Sequence, residues 1–344
     1  MARRAALFCL LACAGLAQAK DLCGPDVTLC ASFEPSTTVF GAPKASQIIT
    51  DGGLRWHVGN KGHDALDTMR IELVGFGRDG ASALRITTQN DDRCVESGSC
   101  NPHTFERSEI SLNATAPDQI TGAVDGAEQW WAHSVYFPPE FQIRSGRGAQ
   151  AVILQFHNGA RAPAFVLEVH NQLGSRPWKV FRALTQGPNG GDKIGTQYFY
   201  TPPGAGRQAG QCLHDNVAEG VWYDFVHHIK WSSSGQGFHR IWLREGSGPV
   251  KKVLDQSGLS MLYAPGDRQG RPYAYLKLGH YHSPIVAGEH SGERLAKDRS
   301  GAYLPPRTPG VSSVIHDRVR RGASFAAVAP PDFHMPARGV VPCQ

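Results

Sequence analysis

Three short stretches of this chain put polar side chains two residues apart inside otherwise apolar, strand-forming sequence. FERSEIS places Arg107 and Glu109 on one side; AVILQFHN does the same with Gln155 and His157; YAYLKLGHYH sets Tyr275, Lys277, Gly279 and Tyr281 on one side, with Leu276 and Leu278 on the other. In a β-strand, side chains alternate between faces, so each set looks one way while its apolar neighbours look the other. In AVILQFHN, the spacing predicts Val152, Leu154 and Phe156 on one face and Ile153, Gln155 and His157 on the opposite one. Arg107 and Gln155 offer hydrogen-bond donors that persist at neutral pH, whereas His157 and Tyr281 can carry a proton. Taken singly, each has an ordinary structural reading. Arg107 and Glu109 could form a surface ion pair of small energetic value, His157 could be a strand-end histidine satisfied by a loop carbonyl, Tyr281 a core aromatic with its hydroxyl at the rim, and Lys277 a solvated residue on an edge strand. Together they read as the floor of a cleft that holds something polar. Gly279, lacking a side chain between Lys277 and Tyr281, is expected to leave room for a ligand to approach the backbone.

The elements that must position these residues are also strands. Alternating segments recur at 83–88, 105–112, 130–137, 151–157, 164–170, 222–231, 238–244, 273–281 and 311–315, separated by turns such as Asn158-Gly159 and Gly235-Gln236-Gly237. With 39 glycines and 23 prolines spread along 344 residues, long helices are not expected. Many short strands with Gly-rich turns predict an all-β sandwich, with long loops at 186–211 and 284–310. There is no internal repeat and no domain linker, so residues 20–344 read as one domain.

The N-terminus reads as a signal peptide over residues 1–19. Arg3 and Arg4 precede an apolar run, and Ala17-Gln18-Ala19 is a small-x-small cleavage site. A lipoprotein site at Leu11-Ala12-Cys13 is the second reading. No later stretch approaches the roughly 18 apolar residues of a membrane helix. The expected location is therefore secreted or periplasmic. Of 8 cysteines, six follow the signal: Cys23, Cys30, Cys94, Cys100, Cys212 and Cys343. An even number in an exported chain reads as disulfides. The preferred pairing is Cys23–Cys30, Cys94–Cys100 and Cys212–Cys343. The formal charge of +5 falls to +3 without Arg3 and Arg4. That mild positive balance suits an anionic polysaccharide, and no basic run points to nucleic acid. A monomer is expected.

Arg107-Ser108-Glu109-Ile110, Gln155-Phe156-His157 and Tyr275-Leu276-Lys277-Leu278-Gly279-His280-Tyr281 resemble the three signature strands of jelly-roll polysaccharide lyases. They match the R-[ST]-E-[LV], Q-[IV]-H and Y-F-K-A-G-x-Y strands of alginate lyases in that group. The Lys-x-x-x-Tyr spacing and the histidine also resemble heparin and glucuronan lyases, as does WYDFVHHIKWSSSGQGFHRIWL. Phe156 and Leu278 depart from the pattern, and His280 and His282 flank Tyr281 unusually. The resemblance implies a concanavalin-like β-jelly-roll and β-elimination at a 4-linked uronic acid of glucuronan, alginate or a glycosaminoglycan-like chain. It implies catalytic roles for Arg107, Gln155, His157 and Tyr281: Tyr281 as acid or as both acid and base, His157 as base or as neutraliser of the sugar carboxylate. Lys277, Glu109 and Tyr275 are expected to bind substrate, with Glu109 orienting Arg107. No cofactor is implied, although such folds can hold a structural calcium. His280-x-His282 and His227-His228 lack a third ligand, so no metal site is expected. The paired carboxylates of a glycoside hydrolase and a G-x-S-x-G nucleophile elbow are absent. The rival is a noncatalytic carbohydrate-binding sandwich using exposed aromatics such as Trp130, Trp131 or Trp242.

Overall fold

In the computed structural model, the described residues are 23, 25–39, 48–51, 54–59, 71–89, 106–112, 121–141, 150–158, 163–171, 179–185, 211–214, 217–266, 271–282, 311–336 and 339–341. In chain order, the strands are β1 (Val27–Ala31), β2 (Thr38–Val39), β3 (Ile48–Asp51), β4 (Leu54–Gly59), β5 (Ile71–Val74), β6 (Ala83–Gln89), β7 (Glu106–Ser111), β8 (Ala123–Val124) and β9 (Glu128–Tyr136). They continue with β10 (Gln150–His157), β11 (Phe165–Asn171), β12 (Lys179–Thr185), β13 (Gln211–His214), β14 (Trp222–Lys230), β15 (Gly237–Glu245), β16 (Lys251–Leu259), β17 (Tyr273–His282) and β18 (Val311–Gly322). A single turn of helix, α1 (Phe325–Val328), follows, capped by the Ser324 side chain.

The strands form two antiparallel sheets. One has eight strands in the order β16-β15-β14-β9-β18-β6-β5, with β1 on β18; the other has ten in the order β13-β12-β11-β10-β17-β7-β4-β3-β2, with β8 on β17. The chain is thus the all-β sandwich that the alternating segments predict, of the jelly-roll kind that the resemblance implies. The signal segment, residues 186–210 and 284–310 of the two long loops, and Cys94, Cys100 and Cys343 lie outside the described residues. Cys23 and Cys30 are joined, with Cα atoms 5.9 Å apart, and Cys212 is also disulfide-bonded. No helix among the described residues is long and apolar enough to cross a membrane.

The inward faces meet in an aromatic core. Phe156 of β10 packs edge-on against Trp131 at 5.4 Å and Trp231 at 5.2 Å. Burying such rings contributes roughly 2–3 kcal/mol each. The outward face of the eight-stranded sheet is covered by the chain's own C-terminal part. Trp242 and Val226 are buried beneath Val328 and Phe333, and Trp130 lies between His228, at 3.8 Å, and Trp242, at 5.5 Å. Trp131 is a core residue, 2% exposed. The aromatics offered for a sugar-binding module therefore have their faces occupied. Beside them Asp224 accepts from Ser134 at 2.7 Å, from Arg244 at 2.8 Å and from Arg78 at 3.0 Å. This pairing of charges explains why β18 continues through the charged run Asp317–Arg321, which no apolar alternation announces: the Asp317 carboxylate takes the Arg78 amide at 2.7 Å, and Arg318 pairs with Asp79.

The core also holds histidines. His227 and His239 share a hydrogen bond of 2.9 Å, and His133 stacks on Phe225 at 4.9 Å. His316 reaches across to the Gly279 carbonyl at 3.2 Å. Burial holds His133, His227, His239 and His316 below the ordinary imidazole value, His227 at about 3 and His316 at about 4. Unfolded, the rings titrate near 6.5. Between that value and about 4 the unfolded chain binds protons the folded chain refuses, so stability falls as pH falls through that window. Buried Asp317, raised well above its usual value by burial, acts in the opposite sense, one carboxylate against four imidazoles. The melting temperature is expected to be level from pH 8 to about 6.5 and to drop steadily towards pH 4. A melting temperature unchanged down to pH 4 would contradict this.

Candidate active site

Strand β17 alternates as its sequence demands: Leu276, Leu278 and His280 are buried in the core, and Tyr275, Lys277, Gly279 and Tyr281 share the outward face of the ten-stranded sheet. It lies between β10 and β7, not at an edge. Residues directly opposite one another in an antiparallel sheet project to the same face, so the register assembles the site. Lys277 lies opposite Gln155 on one side and Ser111 on the other. Ser111 in turn lies opposite His57 of β4, and Gln155 opposite Val166 of β11. One rung thus runs His57–Ser111–Lys277–Gln155–Val166 across five strands. Tyr275 sits opposite His157 at the next position outward.

Two sequence expectations are corrected by the register. Against β11, β10 carries one extra residue between Val152 and Leu154. Ile153 therefore joins Leu154 and Phe156 in the core, and Val152 emerges on the outward face, where it packs with Val166 and Tyr281. Strict alternation could not reveal this, because a bulge adds one unpaired residue. The space at Gly279 is also not for a ligand: a Cβ there would stand 2.6 Å from Glu109 Cγ and 2.7 Å from the Ser108 carbonyl oxygen. The glycine makes room for the Glu109 side chain, whose Oε2 accepts from Lys277 Nζ at 2.7 Å. Glu109 is thus a partner of Lys277; the side chain of Arg107, which it was expected to orient, lies outside the described residues. With 4% and 15% side-chain exposure, the pair is desolvated enough to hold a fixed geometry.

His157 and Tyr275 form a second pair. The Tyr275 hydroxyl is 3.4 Å from His157 Nδ1, with the rings 5.5 Å apart and tilted 30°. Burial raises the phenol's pKa, opposed by Arg271 and reinforced by Glu109 and Tyr273. The Gln155 carboxamide is different: the residue is 5% exposed, yet its side chain has no hydrogen-bond partner among the described residues. His157, Lys277 and Tyr281 are half-buried and keep contact with solvent.

Arg107 and Tyr281 lie opposite each other, at a distance from this cluster. Tyr281 is six residues along β17 from Tyr275, about 20 Å at ~3.3 Å per residue. It packs against the pair Val152 and Val166, and Val166 lies opposite Gln155. The Arg107 side chain is outside the described part. The sequence reasoning missed His57, half-buried on the same rung. The signal was present in LRWHVG, where buried Trp56 and Val58 alternate with Arg55 and His57. His280, considered as a metal ligand, points into the core against Ser312 at 2.5 Å. His227 faces the core and His228 the other outward face, so that doublet is split too. No cluster of three or more His, Cys, Asp or Glu suited to a metal occurs among the described residues.

A family model described as "Polysaccharide lyase" matches residues 72–300. No curated protein matches the chain in sequence. Similar solved structures include the endo-β-1,4-glucuronan lyase of the fungus Trichoderma reesei, 17% identical, covering 79% of this chain and 96% of that one with a TM-score of 0.43. The alginate lyase of Klebsiella pneumoniae is 10% identical, with 78% and 95% covered and a TM-score of 0.43. The alginate lyase of Aplysia kurodai is 14% identical, with 73% and 86% covered and a TM-score of 0.38.

Because backbone atoms face the added methyl, Gly279→Ala cannot be relieved by a rotamer change alone. It is expected to cost about 1–3 kcal/mol and to lower the melting temperature while displacing Glu109 from Lys277. A variant as stable as the wild type would show that the close approach is not needed.

Proposed function

The chain belongs to the polysaccharide lyase family, and from that premise we propose that it is exported and cleaves a uronic-acid-containing anionic polysaccharide by β-elimination. The observation that carries the reading is Gln155, a nearly buried carboxamide with no partner among the described residues, next to Lys277 and on the face of His157 and Tyr281. The amide keeps donors that a sugar carboxylate can accept from.

The chemistry explains the residue types. The C5 proton of a uronate is weakly acidic because the neighbouring carboxylate resists further negative charge. Donors aimed at that carboxylate let charge develop in the transition state. Gln155 and Arg107 are assigned to this, since neither loses its donors at neutral pH. Lys277 and Glu109 fix the rung on which the sugar rests, and Tyr275 completes the binding surface. Tyr281 is assigned the protonation of the departing O4; a guanidinium on the opposed strand position would favour its phenolate when it must take a proton. His157 serves as base or as a further donor.

Export is supported by the signal-like N-terminus and by the disulfides at Cys23–Cys30 and Cys212. Glucuronan, alginate and less sulfated glycosaminoglycan-like chains share the required uronate. The lack of dense Lys/Arg runs disfavours heavily sulfated ones.

Incubation with a panel of uronate polymers is expected to raise ultraviolet absorbance as the C4=C5 double bond forms. Binding with no such absorbance from any polymer would contradict the proposal. Gln155→Ala is expected to lower kcat about 100-fold or more with a smaller change in KM. Tyr281→Phe is expected to keep the fold and lose nearly all turnover, and near-normal turnover would remove its assignment as the acid.

A further inference from the structure

We propose that His316, buried in the opposite sheet, is a positioning residue that holds from beneath the irregular stretch of β17 leading to Tyr281, and so sets where Tyr281 stands relative to Gln155. The role rests on the lyase reading above; the geometry does not. Two rungs cross the ten-stranded sheet here, Arg107–Tyr281–Val152–Glu168 and Ser111–Lys277–Gln155–Val166. They are four residues apart on β7 and β17, three on β10 and two on β11. Against β10, then, β17 carries one residue more: Gly279 and His280 stand where β10 has Ile153 alone. A residue without an opposite number disrupts the ladder, bends its strand and re-aims the side chain that follows. Here that side chain is Tyr281.

The same two residues are gripped across the core by β18 of the eight-stranded sheet. His316 Nε2 is 3.2 Å from the Gly279 carbonyl oxygen, and His280 Nε2 is 2.5 Å from Ser312 Oγ. A carbonyl only accepts, so the His316 proton sits on Nε2 and Nδ1 is bare. Nδ1 is buried and has no hydrogen-bond partner among the described residues, so a second proton would find no acceptor there. Burial holds the ring neutral, with its pKa at about 4. The titratable ring beside it is His133 of β9, which burial also keeps neutral. His316 is thus a donor that neither titrates in the neutral range nor has a choice of tautomer. On the other side of Gly279 lies Glu109, its Cγ 2.6 Å from where a Cβ would stand. The glycine is held between a side chain above the sheet and an imidazole below it. An apolar residue could fill the space of His316 but could not bond the carbonyl, which gives a physical reason for a histidine among core residues.

The test compares His316→Gln, whose side-chain amide can reach the same carbonyl, with His316→Leu, which fills the space and offers no donor. His316→Asn, whose shorter amide falls short of the carbonyl, replaces His316→Leu if that variant does not fold. Activity is read on the uronate polymer that gives unsaturated product, at a temperature where the variants are folded. His316→Leu is expected to lower kcat roughly tenfold or more with a smaller change in KM, as misplacement of a reacting group does, and His316→Gln to keep most of the rate. Equal kcat in the two variants, whether both normal or both impaired, would overturn the proposal. Two readouts need no substrate. Nitrogen NMR of the full chain labelled with ¹⁵N-histidine, with the His316 signals identified by their loss in His316→Gln, is expected to show the proton on Nε2. Amide hydrogen exchange over residues 278–282 is expected to quicken in His316→Leu and not in His316→Gln. A proton on Nδ1, or exchange in that stretch unchanged by His316→Leu, would also overturn it. A failure of the lyase reading, seen as no unsaturated product from any uronate polymer, leaves both of these readouts standing and so remains distinguishable.

Discussion

One rung of opposed residues, His57–Ser111–Lys277–Gln155–Val166, crosses five strands of the ten-stranded sheet, and the polar outward face depends on its register. A slip of one residue in β17 would send Tyr275, Lys277 and Tyr281 into the core and bring Leu276 and Leu278 out. The alternation is enforced from inside, where Leu276 and Leu278 are almost fully buried. It is also enforced from outside by the fit of Glu109 beneath Lys277 in the space that Gly279 leaves. Apolar packing and an ion pair thus specify the same register.

The two outward faces of the sandwich have diverged in chemistry. On the eight-stranded sheet, aromatic rings and a network around Asp224 are sealed by α1 and the segment after it. On the ten-stranded sheet, His157, Lys277 and Tyr281 keep solvent contact above buried Gln155, Glu109 and Tyr275. Histidines appear in both settings with opposite consequences. Those in the core are kept neutral by desolvation and serve the interior. His157, at the end of β10, is held by a hydroxyl and remains accessible. Residue type alone would not separate them; the face of the strand does.

Much of this was legible in the sequence because a period of two survives wherever one face is apolar. The strands bearing Arg107, Gln155 and Lys277 stand out for that reason, as does the sandwich as a whole. What was not legible follows from interactions between distant segments. The bulge at Ile153 against β11 reverses the expected facing of Val152 and Ile153, and an extra residue leaves no mark on a pattern of apolar letters. Strand β16 carries lysines and little alternation, and the end of β18 is a charged run whose partners, Arg78 and Asp79, lie more than two hundred residues earlier. Which residues oppose one another cannot be read from a single strand. Hence Tyr281 looked adjacent to His157 in role, whereas Tyr275 is its neighbour in space.

The most direct measurement is a crystal structure of the Tyr281→Phe variant with a bound oligouronate. The expected result is a chain lying on the outward face of the ten-stranded sheet, with one sugar carboxylate within hydrogen-bond distance of the Gln155 amide. An oligosaccharide seated elsewhere, with Gln155 still lacking a partner, would contradict the assignment of this face as the site.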